Sequence, residues 1–409
     1  AIIDRDDVRD IAIFRKETEQ KIKKGEPILI GTCSPRRELM ATSFLQKALP
    51  QFNSLFKVET KGIRGNVDTR LRKLNSGEYD GIILATAGLN RLLASENDAP
   101  AIRELLKDKK IMLLPLVECV PAPCQGAIVA EANPANHKAI EVLERINDKR
   151  HMEECVLEKQ TALQYGAGCL QKFGVTTISY GNTQAIYAAG KDSNENAFSY
   201  WSGLPEIKAG SGKLFDATRF MGAFFNYEYI NDVKAIEEPV VYVANYKAAE
   251  QEGIIEQLKS KKVWASGSRT WLELAKKGIW VEGCADAFGF EFLTPVWQMP
   301  LLSFSKDDIA IVTSSEAASI WKAKGWRVYS TYNQTEKRSA EIENQIKDAD
   351  IIFWTTFRLF QQYKHVIKKN VVHLCSYGET MEQLKKAGIE PVVFPNIKAF
   401  QQWKQISIL

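Results

Sequence analysis

The chain has 409 residues, 45% of them hydrophobic and 25% charged, with a formal net charge of +4. That length carries roughly two to four domains, and so small a net charge does not by itself imply a nucleic-acid binder. Its seven cysteines form no CxxC pair, and no apolar run approaches the ~18 residues of a membrane span, so a cytoplasmic protein with free thiols is expected.

The chain opens on Ala1 and the charged run Asp4-Arg5-Asp6-Asp7-Val8-Arg9-Asp10. That start reads as the middle of a protein, and sequence upstream of it is expected. Pro27-Ile28-Leu29-Ile30-Gly31 predicts a short buried strand. Ser34 predicts an N-cap, with Pro35 at the first position of a helix that runs to about 49. A strand at 56–60, a helix at 67–74 and a strand at 81–85 follow. This alternation predicts a parallel α/β domain with ligands at the carboxyl ends of its strands. From 137 to 164 the pattern is helical, with Ala139, Ile140, Val142, Leu143 and Ile146 on one face. Strands at 175–180, 185–189 and 197–201, parted by Gly181-Asn182 and Asp192-Ser193-Asn194, predict a small α+β domain with a three-stranded sheet. Glu237-Glu238-Pro239 marks a boundary. Beyond it, α/β alternation returns with strands at 240–244, 262–265, 309–313, 351–354 and 371–375.

Two arginine-rich segments and one cysteine carry the chemistry. A guanidinium fork takes a carboxylate in two parallel hydrogen bonds and never loses its charge. Arg36 and Arg37 follow Thr32-Cys33-Ser34, ahead of a helix N-terminus whose free N–H groups favour anions. Arg64 and Arg70 lie in Ile63-Arg64-Gly65-Asn66-Val67-Asp68-Thr69-Arg70-Leu71-Arg72-Lys73-Leu74; Arg72 and Lys73 read as surface charges. Cys169, in Tyr165-Gly166-Ala167-Gly168-Cys169-Leu170, sits among small residues that leave a thiol open to a ligand. Cys119, Cys124, His151 and Cys155 could be drawn together around a metal, but their spacing is irregular and no metal site is expected. Trp264, Trp271 and Trp280 are not interleaved with a basic run, so no nucleic-acid partner is expected.

Taken in order, Gly31-Thr32-Cys33-Ser34-Pro35-Arg36-Arg37, the Arg64–Leu74 run, Gly77-Glu78-Tyr79-Asp80-Gly81-Ile82-Ile83-Leu84-Ala85-Thr86-Ala87-Gly88-Leu89-Asn90-Arg91-Leu92, Gln125-Gly126-Ala127 and Gly168-Cys169 resemble porphobilinogen deaminase, also called hydroxymethylbilane synthase. The resemblance implies a chain that joins four porphobilinogens head to tail, releasing ammonia. It implies a dipyrromethane cofactor held by a thioether at Cys169. Thr32, Ser34, Arg36, Arg37, Arg64, Arg70 and Arg91 would bind substrate and cofactor carboxylates. The family usually has a hydroxyl where Cys33 stands. By the same resemblance, residues 1–112 form a periplasmic-binding-protein-like α/β domain, the family's second. Residues 113–134 return toward its first domain, and 135–236 form the α+β third domain. The family's Lys-Asp-Val-Pro-type segment, which carries its essential aspartate, does not occur. A separate chain or segment supplying that first domain is therefore expected, or else a catalytically incomplete protein that binds a tetrapyrrole precursor.

Residues 237–409 are similar, more loosely, to uroporphyrinogen III synthase, through Ser266-Gly267-Ser268-Arg269-Thr270-Trp271, Val328-Tyr329-Ser330-Thr331-Tyr332, Trp354-Thr355-Thr356 and Tyr377-Gly378-Glu379-Thr380. That implies a two-lobed α/β region closing hydroxymethylbilane in a cleft. Tyr332 would be the candidate acid, and Thr270, Thr356, Gly378 and Thr380 would lie on the lips. The family's opening strand is poorly represented after 237.

Overall fold

The computed structural model describes residues 1–52, 54–166, 171–207 and 212–407. Every strand predicted above forms, but the first domain is not purely parallel. Its five-stranded sheet runs in the order Val58–Lys61, Ile28–Gly31, Gly81–Ala85, Asp10–Phe14, Lys110–Leu113. Asp10–Phe14 lies antiparallel to both of its neighbours, which corrects the parallel expectation. All five of its residues are buried, and such a run serves either strand direction, so composition could not report it. The three strands that precede helices remain parallel, so their carboxyl ends share one edge.

Ile2–Arg5 and Ala127–Val129 form a two-stranded antiparallel ribbon where the chain enters and leaves this domain. The helical pattern from 137 divides into His137–Ile146 and Lys149–Leu163, the second capped by Asp148, whose side chain accepts from His151 N. No residue of His137–Ile146 is buried, so the apolar face read from its periodicity is not a core face. Lys172–Tyr180, Thr183–Lys191 and Ala197–Ser202 make the expected three-stranded meander. Gly174 lies against the segment at 113–134: a Cβ there would come within 2.2 Å of Val120 O, and Val175 N donates to Pro121 O at 3.0 Å.

The C-terminal region has two lobes, one around a six-stranded sheet and one around a four-stranded sheet. The boundary at 236/237 is corrected. Leu214–Asp216 runs parallel to Ile351–Trp354 in the four-stranded sheet, and Phe225–Tyr229 runs antiparallel to Arg327–Glu336 in the six-stranded one. The sheets therefore change hands between Ser202 and Leu214. Leu214–Asp216 is three residues long, too short for a periodicity to show. From it the chain crosses to the six-stranded lobe and returns after Glu336.

The halves share apolar cores. Trp271 is fully buried, edge-on to Phe44 at 5.2 Å, and donates to Ala48 O at 3.1 Å. Trp280 is edge-on to Phe14 at 5.2 Å and donates to Ile111 O at 2.9 Å. Aromatic burial of this kind typically contributes several kcal/mol per side chain. On the other side, Trp201 N donates to Gln402 Oε1 at 2.8 Å, and Phe353, Phe394 and Phe400 share a core with Leu116, Val117 and Val120. No helix among the described residues is long and apolar enough to cross a membrane.

Candidate functional site

The three loops at the carboxyl ends of the parallel strands lie together. In the first, Ser34 has extended backbone and its Oγ accepts from Arg37 N, with Pro35 opening helix Pro35–Ala48. Thr32 is buried, and its Oγ1 accepts from Ser34 N at 3.2 Å. Cys33 is exposed and its thiol donates to Ile63 O at 2.9 Å, tying the first loop to the second. The second passes through Gly65 at φ +120° into helix Val67–Asn75. The third opens helix Thr86–Ala94, which carries Arg91.

At the centre lies a carboxylate that sequence reasoning did not single out. Asp10 is fully buried. Its Oδ2 accepts from Arg36 Nη1 at 2.8 Å, and its Oδ1 accepts from Arg37 Nε at 3.0 Å and Arg37 Nη2 at 2.8 Å. Gln125 Nε2 adds a bond to the same Oδ1 at 2.9 Å. Burial would raise the Asp10 carboxyl, but the two guanidinium groups outweigh it and hold the group at about 2. One signal was available: Asp10 precedes an apolar run, so a β-strand places it at the sheet edge beside the arginine loops.

Arg36 is only 4% exposed and also donates to Val120 O at 2.7 Å. Its Nη2 makes a single longer contact, 3.4 Å to Gln125 Oε1. Arg91 donates to Gly126 O and lies 3.8 Å from Asp4. Arg70 Nε donates to Gly65 O at 2.8 Å. Arg64 is exposed and has no ion-pair partner among the described residues. Arg72 pairs loosely with Asp68 on the surface, at 3.9 Å.

Cys169 lies outside the described residues. Its described flanks, Gly166 and Gln171, line a hollow of about 460 Å³ together with Ser34, Arg36, Lys159, Leu163 and Phe173. Thr32, Arg37, Arg64, Arg70 and Arg91 do not line it. Of the five arginines, Arg36 alone reaches this cavity.

A second buried cluster braces the surroundings. Arg5 donates to both oxygens of Glu158 at 2.9 and 2.7 Å, and to Glu154 at 3.3 Å. Glu158 also accepts from Cys124 N and Thr177 N. Cys124 Sγ lies 3.4 Å from Cys155 O, and burial pushes the Cys124 thiol up to about 12. Among the described residues no three His, Cys, Asp or Glu side chains are placed to hold a metal.

The five C-terminal candidates divide between the lobes. Thr270 is buried, its Oγ1 3.0 Å from Ser266 Oγ. Tyr332 is 2% exposed, with Tyr227 and Tyr229 rings at 5.9 and 6.4 Å. Burial, then Tyr227 and Glu316, raise its hydroxyl, and so enclosed a group is poorly placed to meet a ligand. Across the lobes, Thr356 caps helix Phe357–Tyr363, accepting from Leu359 N at 3.3 Å. Gly378, at φ +113°, precedes helix Glu379–Lys386, whose first turn holds Thr380. A Cβ on Gly378 would lie 3.5 Å from Gly289 Cα, so the lobes touch here. None of these five residues lines the hollow beside Gly166.

Residues 1–141 match the family model described as porphobilinogen deaminase, dipyromethane cofactor binding domain. The chain is 35% identical over 173 residues to porphobilinogen deaminase of Streptococcus sanguinis, covering 41% of this chain and 49% of that one. It is 33% identical over 178 residues to a probable porphobilinogen deaminase of Methanocaldococcus jannaschii (44% and 52%). A probable porphobilinogen deaminase of Saccharolobus islandicus is 35% identical over 175 residues (43% and 51%). The chain spans about half the length of the curated relatives it matches.

Proposed function

We propose that the N-terminal half takes part in tetrapyrrole biosynthesis in the cytoplasm. It would join porphobilinogen units into hydroxymethylbilane, with release of ammonia, on a dipyrromethane attached through Cys169. The observation that carries this reading is the hollow of about 460 Å³ between the segment flanking Cys169 and the Arg36 loop. Its volume lies in the range of small-molecule sites. The apolar lining of Leu163 and Phe173 suits flat rings, and the Arg36 and Lys159 cations suit their carboxylates. The residues therefore fit the group. When bound, the dipyrromethane supplies the pyrrole end to which further units are joined.

The chain's own residues bind and orient. Asp10 fixes the Arg36 guanidinium, leaving its Nη2 edge, held only by the long Gln125 contact, for a ligand carboxylate. Lys159 is exposed and meets a second carboxylate as a flexible point charge. Ser34 and the first amides of helix Pro35–Ala48 favour an anion at the same rim. Arg64, exposed and without an ion-pair partner among the described residues, would follow a growing polyanion. A further segment, on this or a separate chain, would supply the aspartate that the Lys-Asp-Val-Pro run provides in the resembling family.

For the C-terminal half we propose closure of hydroxymethylbilane to uroporphyrinogen III between the two lobes, with Thr270, Thr356, Gly378 and Thr380 at the lips. What supports it is the two-lobed α/β architecture together with a first half whose product would be its substrate. Tyr332 is retained as the candidate acid on condition that the lobes open.

Intact mass after incubation with porphobilinogen tests the first half. A covalent dipyrromethane that disappears in Cys169→Ser is the expected result. A bare thiol on a folded chain overturns it and favours a precursor-binding protein. For the second half, hydroxymethylbilane is supplied and the isomer assayed; isomer I alone removes the synthase reading.

A further inference from the structure

A second hollow, of about 430 Å³, lies where the N-terminal run, the small α+β domain and both C-terminal lobes meet. Phe288 and Phe292 of one lobe and Tyr377 of the other supply flat aromatic walls. Arg9, Arg150 and Thr177 of the N-terminal half supply polar ones. The halves do not merely abut here; they enclose a space neither could form alone.

Among the described residues, the buried polar atoms left over in this hollow include two that can donate, Arg9 Nε and the Thr177 hydroxyl, while His151 Nδ1 lies 3.1 Å from Asp148. Four acids line it, and three are engaged. Asp7 accepts from Arg9 at 2.8 Å, Glu154 accepts from Arg5 and Arg150, and Asp6 accepts from Asn90 and from the Asp7 amide. The fourth, Glu291, is exposed to solvent and makes no ion pair among the described residues. Arg9 is 3% exposed, yet its Nε has no partner among the described residues, and its guanidinium lies 4.8 Å from the Phe292 ring centre. Thr177 Oγ1 is also buried without a partner among the described residues. A buried donor left unmatched typically costs about 1–3 kcal/mol, and more for a charged group. A half-satisfied buried guanidinium above a phenyl ring is an arrangement a ligand carboxylate completes.

We propose that this junction is a reversible binding site for a flat, ring-bearing carboxylate. The ring lies among Phe288, Phe292 and Tyr377, and the carboxylate takes Arg9 Nε and the Thr177 hydroxyl. Arg150, at the rim, adds a second cation. The site is distinct from the hollow beside Gly166, sharing no lining residue with it. It does not depend on covalent attachment at Cys169.

The test uses the full chain carrying Cys169→Ser, with porphobilinogen, a pyrrole bearing two carboxylates, as the probe in calorimetric titration. Saturable binding is expected, weakened about tenfold by Thr177→Val, because one good hydrogen bond is worth roughly that factor. The same substitution removes an unmatched hydroxyl, so its melting temperature should hold or rise. Arg9→Lys keeps the charge but loses the fork, and should weaken binding further. No saturable binding overturns the proposal, as does binding indifferent to both substitutions, since the ligand then sits elsewhere. A wild-type chain that stays bare at Cys169 yet shows Thr177-dependent binding sinks the deaminase reading and leaves this site standing.

Discussion

Asp10 and Asp286 are both buried aspartates, one in each half of the molecule, and they lie at opposite ends of the carboxylate range. Asp10 receives three bonds from two guanidinium groups, and against its burial they hold it at about 2. Asp286 accepts from Val117 N at 3.3 Å, its Oδ2 has no partner among the described residues, and burial lifts it to about 6 although Arg9 is near. Equal burial thus gives opposite acidities, because contact with a guanidinium decides the sign. Asp10 aims cations at a cavity edge. Asp286 sits at the joint between the halves, where Asn396 Nδ2 also donates to its backbone carbonyl at 3.4 Å.

The hardest blow to this contrast is Asp10→Ala. It strands Arg36 and Arg37 without their shared anion, the first of them only 4% exposed, and removing one partner of such a cluster costs about 3–5 kcal/mol. The denaturation midpoint should fall accordingly, and a fall under about 1 kcal/mol would show that the cluster does not organise the loop. For the same reason Arg36→Leu is not a clean probe of ligand binding, since it disturbs the buried network first.

The pH dependence runs in opposite directions at the two sites. Asp10 keeps its proton off in the folded state down to about 2, against 3.8 when free. Its stabilisation is present above pH ~4 and is lost as pH falls through that window. Asp286 holds its proton up to about 6, against 3.8 when free. The folded state therefore binds more protons between those values, and stability declines as pH rises from ~4 to ~6. Two units correspond to about 3 kcal/mol at most. Asp286→Asn should flatten that decline while leaving the acid limb unchanged. A slope unaltered by the substitution would assign the effect to another group.

Much of this was legible in the chain, and what was not has a physical cause. Ser34 and Pro35 announced a helix that begins at Pro35, and 81–85 formed as the strand Gly81–Ala85, because caps and short apolar runs are local signals. The arginines were legible as a set, while the acid that aims two of them was not. Asp10 lies 26 residues from Arg36 in sequence, and no local pattern links a strand's first residue to a helix's first turn. Leu214–Asp216 escaped for a related reason: its meaning lies in pairing with Ile351–Trp354. The helix at His137–Ile146 shows the converse, where a true periodicity led to a face that no other described element buries.

The lips of the C-terminal lobes allow a smaller test. Thr356 accepts from Leu359 N as an N-cap, a role that accounts for the hydroxyl without any ligand. Thr356→Ala should cost about 1 kcal/mol, the usual cap contribution. Under the capping role alone, Thr356→Asp would restore stability and leave isomer III formation from hydroxymethylbilane intact. Loss of isomer III in a variant whose melting temperature has recovered would place the hydroxyl on substrate instead.

Arg64→Leu should have the smallest effect on stability and so separates the two kinds of arginine most sharply. Arg64 is exposed, and its backbone carbonyl, which accepts from Lys73 Nζ at 3.3 Å, survives the substitution. Surface replacements of this sort stay within about 0.5 kcal/mol. Under the proposed reading, dipyrromethane loading at Cys169 should nonetheless fall sharply in the intact-mass assay, because a free guanidinium near an anionic ligand acts on binding rather than folding. If loading is unchanged, Arg64 is a solvated surface charge, and the carboxylate clamp contracts to Arg36 and Lys159 at the hollow. If stability falls as well, Arg64 belongs with Arg36 among the cations that hold the loop together, and the division between aimed and free arginines is wrong.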